Sequence, residues 1–512
     1  MKEKAFDLIK NKIKWFVFGV ALVYFLFSCF LILQTNYNIT MLTIISALLI
    51  IVEICLFLTF NIKISSIYCI FLLIFNIFYF GIPLALLFSS GFSSDSYLYW
   101  LTFAHSAQVT ETSLCKAYLL STICSFSLAV VRCLFTLRKH DEKVAKAIVV
   151  KFNNRRMADA LLFSFIVLAA VSFFPYIWVQ ISAFSTVLKN GYASVYSISN
   201  VPGIVQTVAS FFTTSLLFGC VYFCFAEGKG AKIFYFLITV FIALSLAEMI
   251  KGTRLKQTIY LIVAITLLPH RLKNKKNKIL FGSLLAIAVF IGLSFLSYIS
   301  FARNAGGATI GGFFEFIFSN GFLSVPAKAF IECGNTIKSL YLAIEYFPSY
   351  HDYFYGFTYI SSFASVYPNT FNLYGDFVDY YSFVKFLPRN TQFSLGGSIL
   401  GEAFANFGFI GAIIFMIIFS LALNYVCAIE KVSKEKNNTF TLFFCLFLYR
   451  YFLEWIRGYF VSMVFPSFVV FIVLFFSYLL LKSKNIRLLV FLRKISQKRN
   501  TLFVDSYEEI TV

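Results

Sequence analysis

Apolar residues recur along the chain in long runs that short polar or basic segments separate. About 20 consecutive apolar residues suffice to carry a helix across the hydrocarbon core of a bilayer. The run from Trp15 to Gln34 has this length, and Ile39–Phe60 and Phe460–Leu481 repeat it. The same pattern along the rest of the chain predicts about twelve spans. They cover residues 15–34, 39–60, 66–88, 113–136, 158–181, 204–226, 233–250, 256–269, 279–300, 403–427, 439–456 and 460–481.

The composition supports an all-α polytopic membrane protein. Apolar residues make up 60% of the chain and charged residues 13%, whereas a soluble domain carries roughly 25% charge. Mean hydropathy is +0.83. Most of the 11 cysteines lie inside apolar runs, without the spacing of a metal site or a disulfide framework. We therefore expect neither a metal nor another cofactor.

The basic residues indicate the orientation. Lys and Arg total 43 against 23 Asp and Glu. If the spans alternate, the N-terminus, the segments 138–156, 271–278 and 431–436, and the C-terminal tail share one side, whereas 89–112 on the other side has no Lys or Arg. Because basic residues collect on the cytoplasmic side, both termini are predicted to be cytoplasmic. The same rule accounts for the positive net charge, so we expect no nucleic-acid partner.

One connection is too long to be a simple linker. Within a single polytopic domain, 1–512, residues 301–402 form a large external loop rich in Tyr, Phe, Gly and Asn. Its residues Ile337, Leu340, Tyr341 and Ile344 recur at helical spacing, which predicts a helix on the membrane surface or against the bundle. Long loops in compact proteins are usually functional.

Several basic residues lie on the external side, against the charge bias. They are Lys251, Arg254, Lys256, Arg303, Arg389, Arg450 and Arg457. One interpretation is an anion site, since guanidinium groups form forked hydrogen bonds with phosphate oxygens. The alternative is snorkelling to lipid headgroups or pairing with nearby acids. Of the acids inside spans, Glu53 must be neutral, paired or facing a cavity.

The external loop contains two elements that could bind or act on a sugar. Aromatic residues run from Tyr350 to Tyr359 around His351, and they suit either sugar stacking or an interfacial belt. The second element, Gly396–Gly408, places Glu402 and Asn406 on one helix face. Glu402 is then either a general base, or a helix cap or partner for one of the external arginines. His351 is the other candidate base.

Three elements resemble the O-antigen polymerases of the Wzy type. The first is the string from Lys251 to Arg254 at the end of a span. The second is Tyr355-Gly356-Phe357-Thr358-Tyr359, followed by Pro368. The third and most specific runs from Gly397 to Gly408, as Gly-Ser-x-x-Gly-Glu-x-x-x-Asn-Phe-Gly. With the long loop and the topology, the resemblance covers about residues 150–430.

The resemblance implies a glycosyltransferase of the bacterial cytoplasmic (inner) membrane with a GT-C-like fold. It would move a growing O-antigen or capsular glycan from undecaprenyl pyrophosphate onto a new lipid-linked repeat unit at the outer face. A chain-length regulator and a flippase are candidate partners. The expected catalytic residues are Arg254, Arg303, Glu402 and His351. The expected substrate-binding residues are Lys251, Lys256, Arg389, Asn406, Tyr355, Tyr359 and Arg457.

Two other functions fit the same spans. A lipid-linked oligosaccharide flippase or other transporter suits the number of spans, but the sequence lacks half-repeat symmetry. An O-antigen ligase shares the architecture of the polymerase and differs in its acceptor. A scaffold membrane protein is the plainest alternative.

The charge bias makes a topological prediction. Reporter fusions at Asn320 and Tyr355 should give an external signal, and fusions within 138–156 and 271–278 a cytoplasmic one, because only the latter segments are rich in Lys and Arg. The activity of alkaline phosphatase fusions reports the external side, and the fluorescence of fluorescent-protein fusions reports the cytoplasmic side. A cytoplasmic signal at Tyr355 would invert the topology.

Overall fold

The computed structural model of the chain is helical wherever it defines regular structure. It describes residues 2–34, 38–63, 65–87, 110–136, 139–152, 154–190, 201–250, 254–271, 310–320, 324–366, 375–383 and 396–483, with scattered residues between 280 and 298. The helices are α1 (Lys2–Gln34), α2 (Ile39–Thr59), α3 (Ile67–Leu86), α4 (Glu111–Thr136), α5 (Lys139–Lys151), α6 (Arg155–Asn190), α7 (Gly203–Phe223), α8 (Lys229–Ile250), α9 (Arg254–Leu267), α10 (Ile310–Asn320), α11 (Ser324–Gly334), α12 (Ile337–Tyr346), α13 (Phe357–Ala364), α14 (Phe377–Tyr380), α15 (Ile399–Glu435), α16 (Thr439–Trp455) and α17 (Val461–Ser483).

Nine helices in the described ranges are long and apolar enough to cross a membrane, namely α1–α4, α6–α8, α15 and α17. This supports a polytopic membrane protein, and the count of twelve stays a prediction. The predicted span at 256–269 is a shorter apolar helix, Lys256–Leu267. The span predicted at 439–456 is α16, which has 17 residues. Much of the span predicted at 279–300 lies outside the described residues.

The chain divides into two compact units. The first comprises Met1–Ala145, Ser283–Ala428 and Leu448–Phe468, and the second Lys146–Gly282, Ile429–Phe447 and Val469–Val512. In the second unit, α7 packs against α6 and α8, and α8 against α9. There Arg271 donates to the Phe223 carbonyl over 2.7 Å, and Lys434 pairs with Glu430. The expectation of a single domain stays a prediction.

A buried polar triad joins α2, α3 and α4 in the first unit. The Glu53 carboxylate accepts hydrogen bonds from the Asn76 amide (2.6 Å) and from the Ser125 hydroxyl (2.7 Å). All three side chains are buried. The sequence required Glu53 to be neutral, paired or facing a cavity, and these contacts provide hydrogen-bonding partners from two neighbouring helices. Such contacts reduce the cost of placing a polar group within a membrane bundle.

Part of the predicted external loop packs tightly against the transmembrane helices. Helix α12 confirms the predicted helix, and it lies against α4 and α3 with its residues from Ile337 to Ile344 buried. Helix α11 packs on α3 through two facing glycines. A Cβ atom at Gly81 would lie 2.2 Å from the Phe330 carbonyl oxygen, and one at Gly334 would lie 2.5 Å from the Ile82 nitrogen. Only glycine permits this main-chain approach.

The contact between α3 and α11 should therefore be sensitive to a single methyl group. Gly81→Ala should lower the free energy of unfolding by about 1–3 kcal/mol, the usual cost of overpacking, and reduce the melting temperature in detergent. Gly19→Ala is the matched control, because nothing lies within 4 Å of a Cβ atom there and alanine favours a helix. Equal melting temperatures for both variants would contradict the tight contact.

Candidate active site

The start of α15 is held by side chains from α3 and from its own cap. The Gly401 amide donates to the Ser398 hydroxyl over 3.0 Å, and the Leu400 amide donates to the Tyr79 hydroxyl over 3.2 Å. The two hydroxyls lie 2.7 Å apart. These bonds satisfy amides that have no partner within the first turn of a helix. They fix the turn that carries Glu402.

Two glycines before α15 let another main chain pass directly beside it. A Cβ atom at Gly397 would lie 2.1 Å from the Gly458 carbonyl oxygen, and one at Gly396 would lie 3.1 Å from that of Arg457. The Ser339 hydroxyl on α12 donates to the Gly396 carbonyl. The turn between α16 and α17 is therefore held against the beginning of α15.

Glu402 lies beneath that turn and is 2% exposed. Its Oε2 atom accepts hydrogen bonds from the Trp455 indole N–H (2.9 Å) and from the Phe460 main-chain N–H (3.1 Å). The Thr358 hydroxyl is a third partner. None of these groups is an arginine, so within the described residues the carboxylate is held by neutral donors. The expected arginine partner is therefore not found there.

Helix α15 is interrupted at Gly408, whose φ of 68° and ψ of −169° are not helical. Such a residue breaks the ladder of main-chain hydrogen bonds and makes carbonyls of the preceding turn available to other donors. The Phe354 amide donates to the Ala405 carbonyl, and the Tyr355 amide to the Asn406 carbonyl, both over 2.9 Å. The loop before α13 thus bonds to the interrupted helix.

Asn406 joins the loop to Glu402. Its side-chain oxygen accepts from the Gly356 amide over 2.9 Å. Its nitrogen donates to the Thr358 hydroxyl (2.7 Å) and to the Glu402 carbonyl (2.8 Å). The turn that presents the Gly356 amide is left-handed, with φ of 51° at Tyr355 and 90° at Gly356. The second and third sequence elements therefore meet in space.

Aromatic rings enclose one side of this cluster. The Tyr359 ring stacks on Phe415 at 5.6 Å and meets Trp455 and Phe460 edge to face. Its hydroxyl oxygen is buried. A phenol hydroxyl can donate a hydrogen bond, so Tyr359 is a candidate donor to a ligand. Tyr355, by contrast, points its ring outward and is exposed.

His351 is held by a different set of groups. Its ring packs near Phe347, Phe354 and Tyr380, and its Nδ1 lies 2.6 Å from the Asp352 carbonyl oxygen. These contacts place it on the loop that precedes the Asn406 bonds, without a described contact to the Glu402 carboxylate. The structure therefore groups Glu402, Asn406 and Tyr359, and not His351, into one cluster.

Two cations lie at the α16–α17 turn and beside it. Arg457 donates to the Glu332 carbonyl near the end of α11 over 3.1 Å. Burial and then the positive charge of Arg457 lower the pKa of Lys338 to about 8. Lys338 was not among the predicted residues. It is nevertheless a basic residue on the predicted external side, which was the criterion for the other candidates. Arg450 and Glu454, four residues apart on α16, form an ion pair at 3.5 Å.

The remaining basic candidates lie outside the described residues or in the second unit. Lys251, Arg303 and Arg389 lie outside the described residues. Arg254 begins α9, and its side chain is likewise outside them, whereas Lys256 is half-buried in the second unit. Within the described ranges no group of three His, Cys, Asp or Glu could hold a metal ion.

The apolar helices define a polytopic membrane protein. It has a polar site in its first unit, where Glu402 and Asn406 are buried between a loop and the interrupted helix α15. The family model for O-antigen polysaccharide polymerase Wzy matches residues 14–487. The chain therefore belongs to the Wzy O-antigen polymerase family, which confirms the resemblance in its sequence. Neither the curated proteins nor the solved structures give a significant match.

Because Asn406 forms three hydrogen bonds, its replacement should destabilise the loop that precedes α13. Asn406→Ala should leave the Gly356 amide and the Thr358 hydroxyl without this partner, and a buried polar group so orphaned costs about 1–3 kcal/mol. The melting temperature in detergent should fall, and chymotrypsin should cut faster near Tyr355. Asn335→Ala is the control, since that side chain makes no hydrogen bond in the described part of the chain. Identical cleavage rates would refute the assignment.

Proposed function

We propose that this chain polymerises lipid-linked oligosaccharide repeat units at the outer face of the bacterial inner membrane. The family supports an O-antigen polymerase role. The growing glycan would leave undecaprenyl pyrophosphate and join a new lipid-linked unit. Both termini would be cytoplasmic, the transmembrane helices would form a GT-C-like arrangement, and a flippase and a chain-length regulator would be its partners. The meeting of two family-like elements around Glu402 and Asn406 is the observation that carries the proposal.

The reaction needs a base, an electrophile and a leaving group. A hydroxyl oxygen of the acceptor sugar attacks the anomeric carbon of the donor, the bond from that carbon to the lipid pyrophosphate breaks, and the hydroxyl proton passes to a base. The pyrophosphate gains negative charge as it leaves. Cationic groups aimed at that charge often supply the largest catalytic effect. We assign this task in the first unit to the external basic residues Arg303, Arg389 and Arg457.

Glu402 has two candidate roles at this site. A general base must come within hydrogen-bond reach of the acceptor hydroxyl. A positioning residue would instead hold the α16–α17 turn and the loop of Thr358 together. Its burial and the bonds from Trp455 and Phe460 favour positioning. Tyr359 would then be the neighbouring group able to donate a proton, and His351 on the preceding loop would be the alternative base.

The function is tested by deleting the gene and separating the surface polysaccharide on a gel. A polymerase predicts material with a single repeat unit, restored to a ladder by the wild-type gene. Loss of all repeat units on the surface would indicate a flippase. Long polymer that stays on its lipid carrier would indicate a ligase.

Glu402→Gln separates the two roles of this residue. A glutamine oxygen can still accept from Trp455 and Phe460, but the amide cannot take a proton. Positioning therefore predicts partial polymerisation and near-normal stability, whereas a general base predicts near-total loss at normal protein level. Polymer length in the complemented deletion strain measures polymerisation, and the melting temperature in detergent measures stability.

Glu402→Ala is the companion variant. It leaves two N–H groups without an acceptor, so positioning predicts a lower melting temperature and less polymer than with Glu402→Gln. An alanine variant as stable and as active as wild type would remove Glu402 from the site in either role.

A further inference from the structure

Helix α13 has the reverse of the polarity expected for a helix in water. Its polar residues face inward: Thr358 is 2% exposed and Ser361 3%. Its large apolar residues face outward: Ile360 is 56% exposed and Phe363 60%. An aqueous loop helix would bury its apolar face. The exposed face thus suits a hydrocarbon environment.

The inward polar face is satisfied within the protein. The Ser361 hydroxyl lies within hydrogen-bond distance of the Thr358 carbonyl (2.9 Å) and the Tyr381 carbonyl (3.1 Å). The Ser362 hydroxyl donates to the Thr358 carbonyl over 2.7 Å. Short non-helical or re-entrant elements occur at membrane depth where protein partners satisfy their polar groups. Helix α13 meets this condition on the side that faces the bundle.

Its neighbours on α15 set the depth of α13. Between Glu402 and Glu430 helix α15 has no charged residue, and Lys431 and Lys434 mark its other end. The hydrocarbon core is about 30 Å thick, which about 20 helical residues span. Counted back from Glu430, the core then reaches roughly to Gly408 or Ile410. Phe415, on which Tyr359 stacks, lies inside it.

Helix α15 itself has a surface with the character of a lipid contact. Ile410, Ile414 and Ile418 recur every fourth residue of α15, and all three are exposed. Tyr359 packs beside Phe407 on the same helix, and Phe363 packs on Phe460. Helix α13 therefore packs against α15 through Tyr359 and against the turn before α17 through Phe363.

We propose that α13 is a re-entrant element in the membrane leaflet on the side of the predicted external loop. Its residues Phe357, Ile360 and Phe363 then contact the acyl chains of phospholipids. The Tyr355–Gly356 turn and the Asn406 cluster then lie at the level where headgroups meet the hydrocarbon core. This placement rests on burial and helix geometry and does not depend on the proposed function.

Photo-crosslinking tests the placement in the full-length protein. Benzoylphenylalanine replaces Ile360 or Phe363, and the protein is irradiated in vesicles of phosphatidylethanolamine and phosphatidylglycerol that contain no polyprenyl lipid. Mass spectrometry of the intact chain detects a phospholipid adduct. Ile414 on α15 is the positive control. Tyr380 is the negative control, because it is 55% exposed and follows Asp379 and Asp376.

We expect phospholipid adducts at residues 360, 363 and 414 and none at residue 380. Adducts at residue 414 without any at 360 and 363 would overturn the proposal. Crosslinks from residues 360 and 363 to a second copy of the chain would also overturn it, because that copy would then cover the face. Since no polyprenyl substrate is present, these outcomes are independent of polymerase activity.

Discussion

The hydrogen bonds of Asn406 hold the site together. One amide side chain binds the main chain of the loop at Gly356, the hydroxyl of Thr358 and the carbonyl of Glu402. The break at Gly408 complements it by making carbonyls of α15 available to the Phe354 and Tyr355 amides. Without either feature, the loop would have to satisfy these amides with water. Loop and helix therefore depend on each other for a defined structure.

The rest of the first unit follows the same constraint, since polar groups buried among apolar helices need partners from other helices. Glu53 is held by Asn76 and Ser125. On the same bundle, Arg132 donates to the Asn424 side chain over 2.8 Å. Each such pair joins residues distant in sequence, and each gives a fixed register to helices whose apolar surfaces alone would pack in several ways.

The sequence predicted features that depend on local spacing. The helix that begins at Ile337 was visible from its apolar periodicity, and the shared face of Glu402 and Asn406 from their separation of four residues. Partners supplied by tertiary structure were not visible: nothing in an indole at Trp455 marks it as a donor to Glu402. His351 was grouped with the site because it is close in sequence to Tyr355, whereas its ring packs on other aromatic residues. The outward apolar face of α13 looked like an ordinary interfacial belt, because periodicity does not tell which face a helix buries.

The contact of Gly397 with Gly458 has a mechanical consequence. It joins two main chains without an intervening side chain, so no change of rotamer can loosen it. The backbone that carries Arg457 and the turn that carries Glu402 must then shift as one rigid piece. The spacing between the main chains at Arg457 and at Glu402 is in this way fixed by the scaffold rather than by side chains.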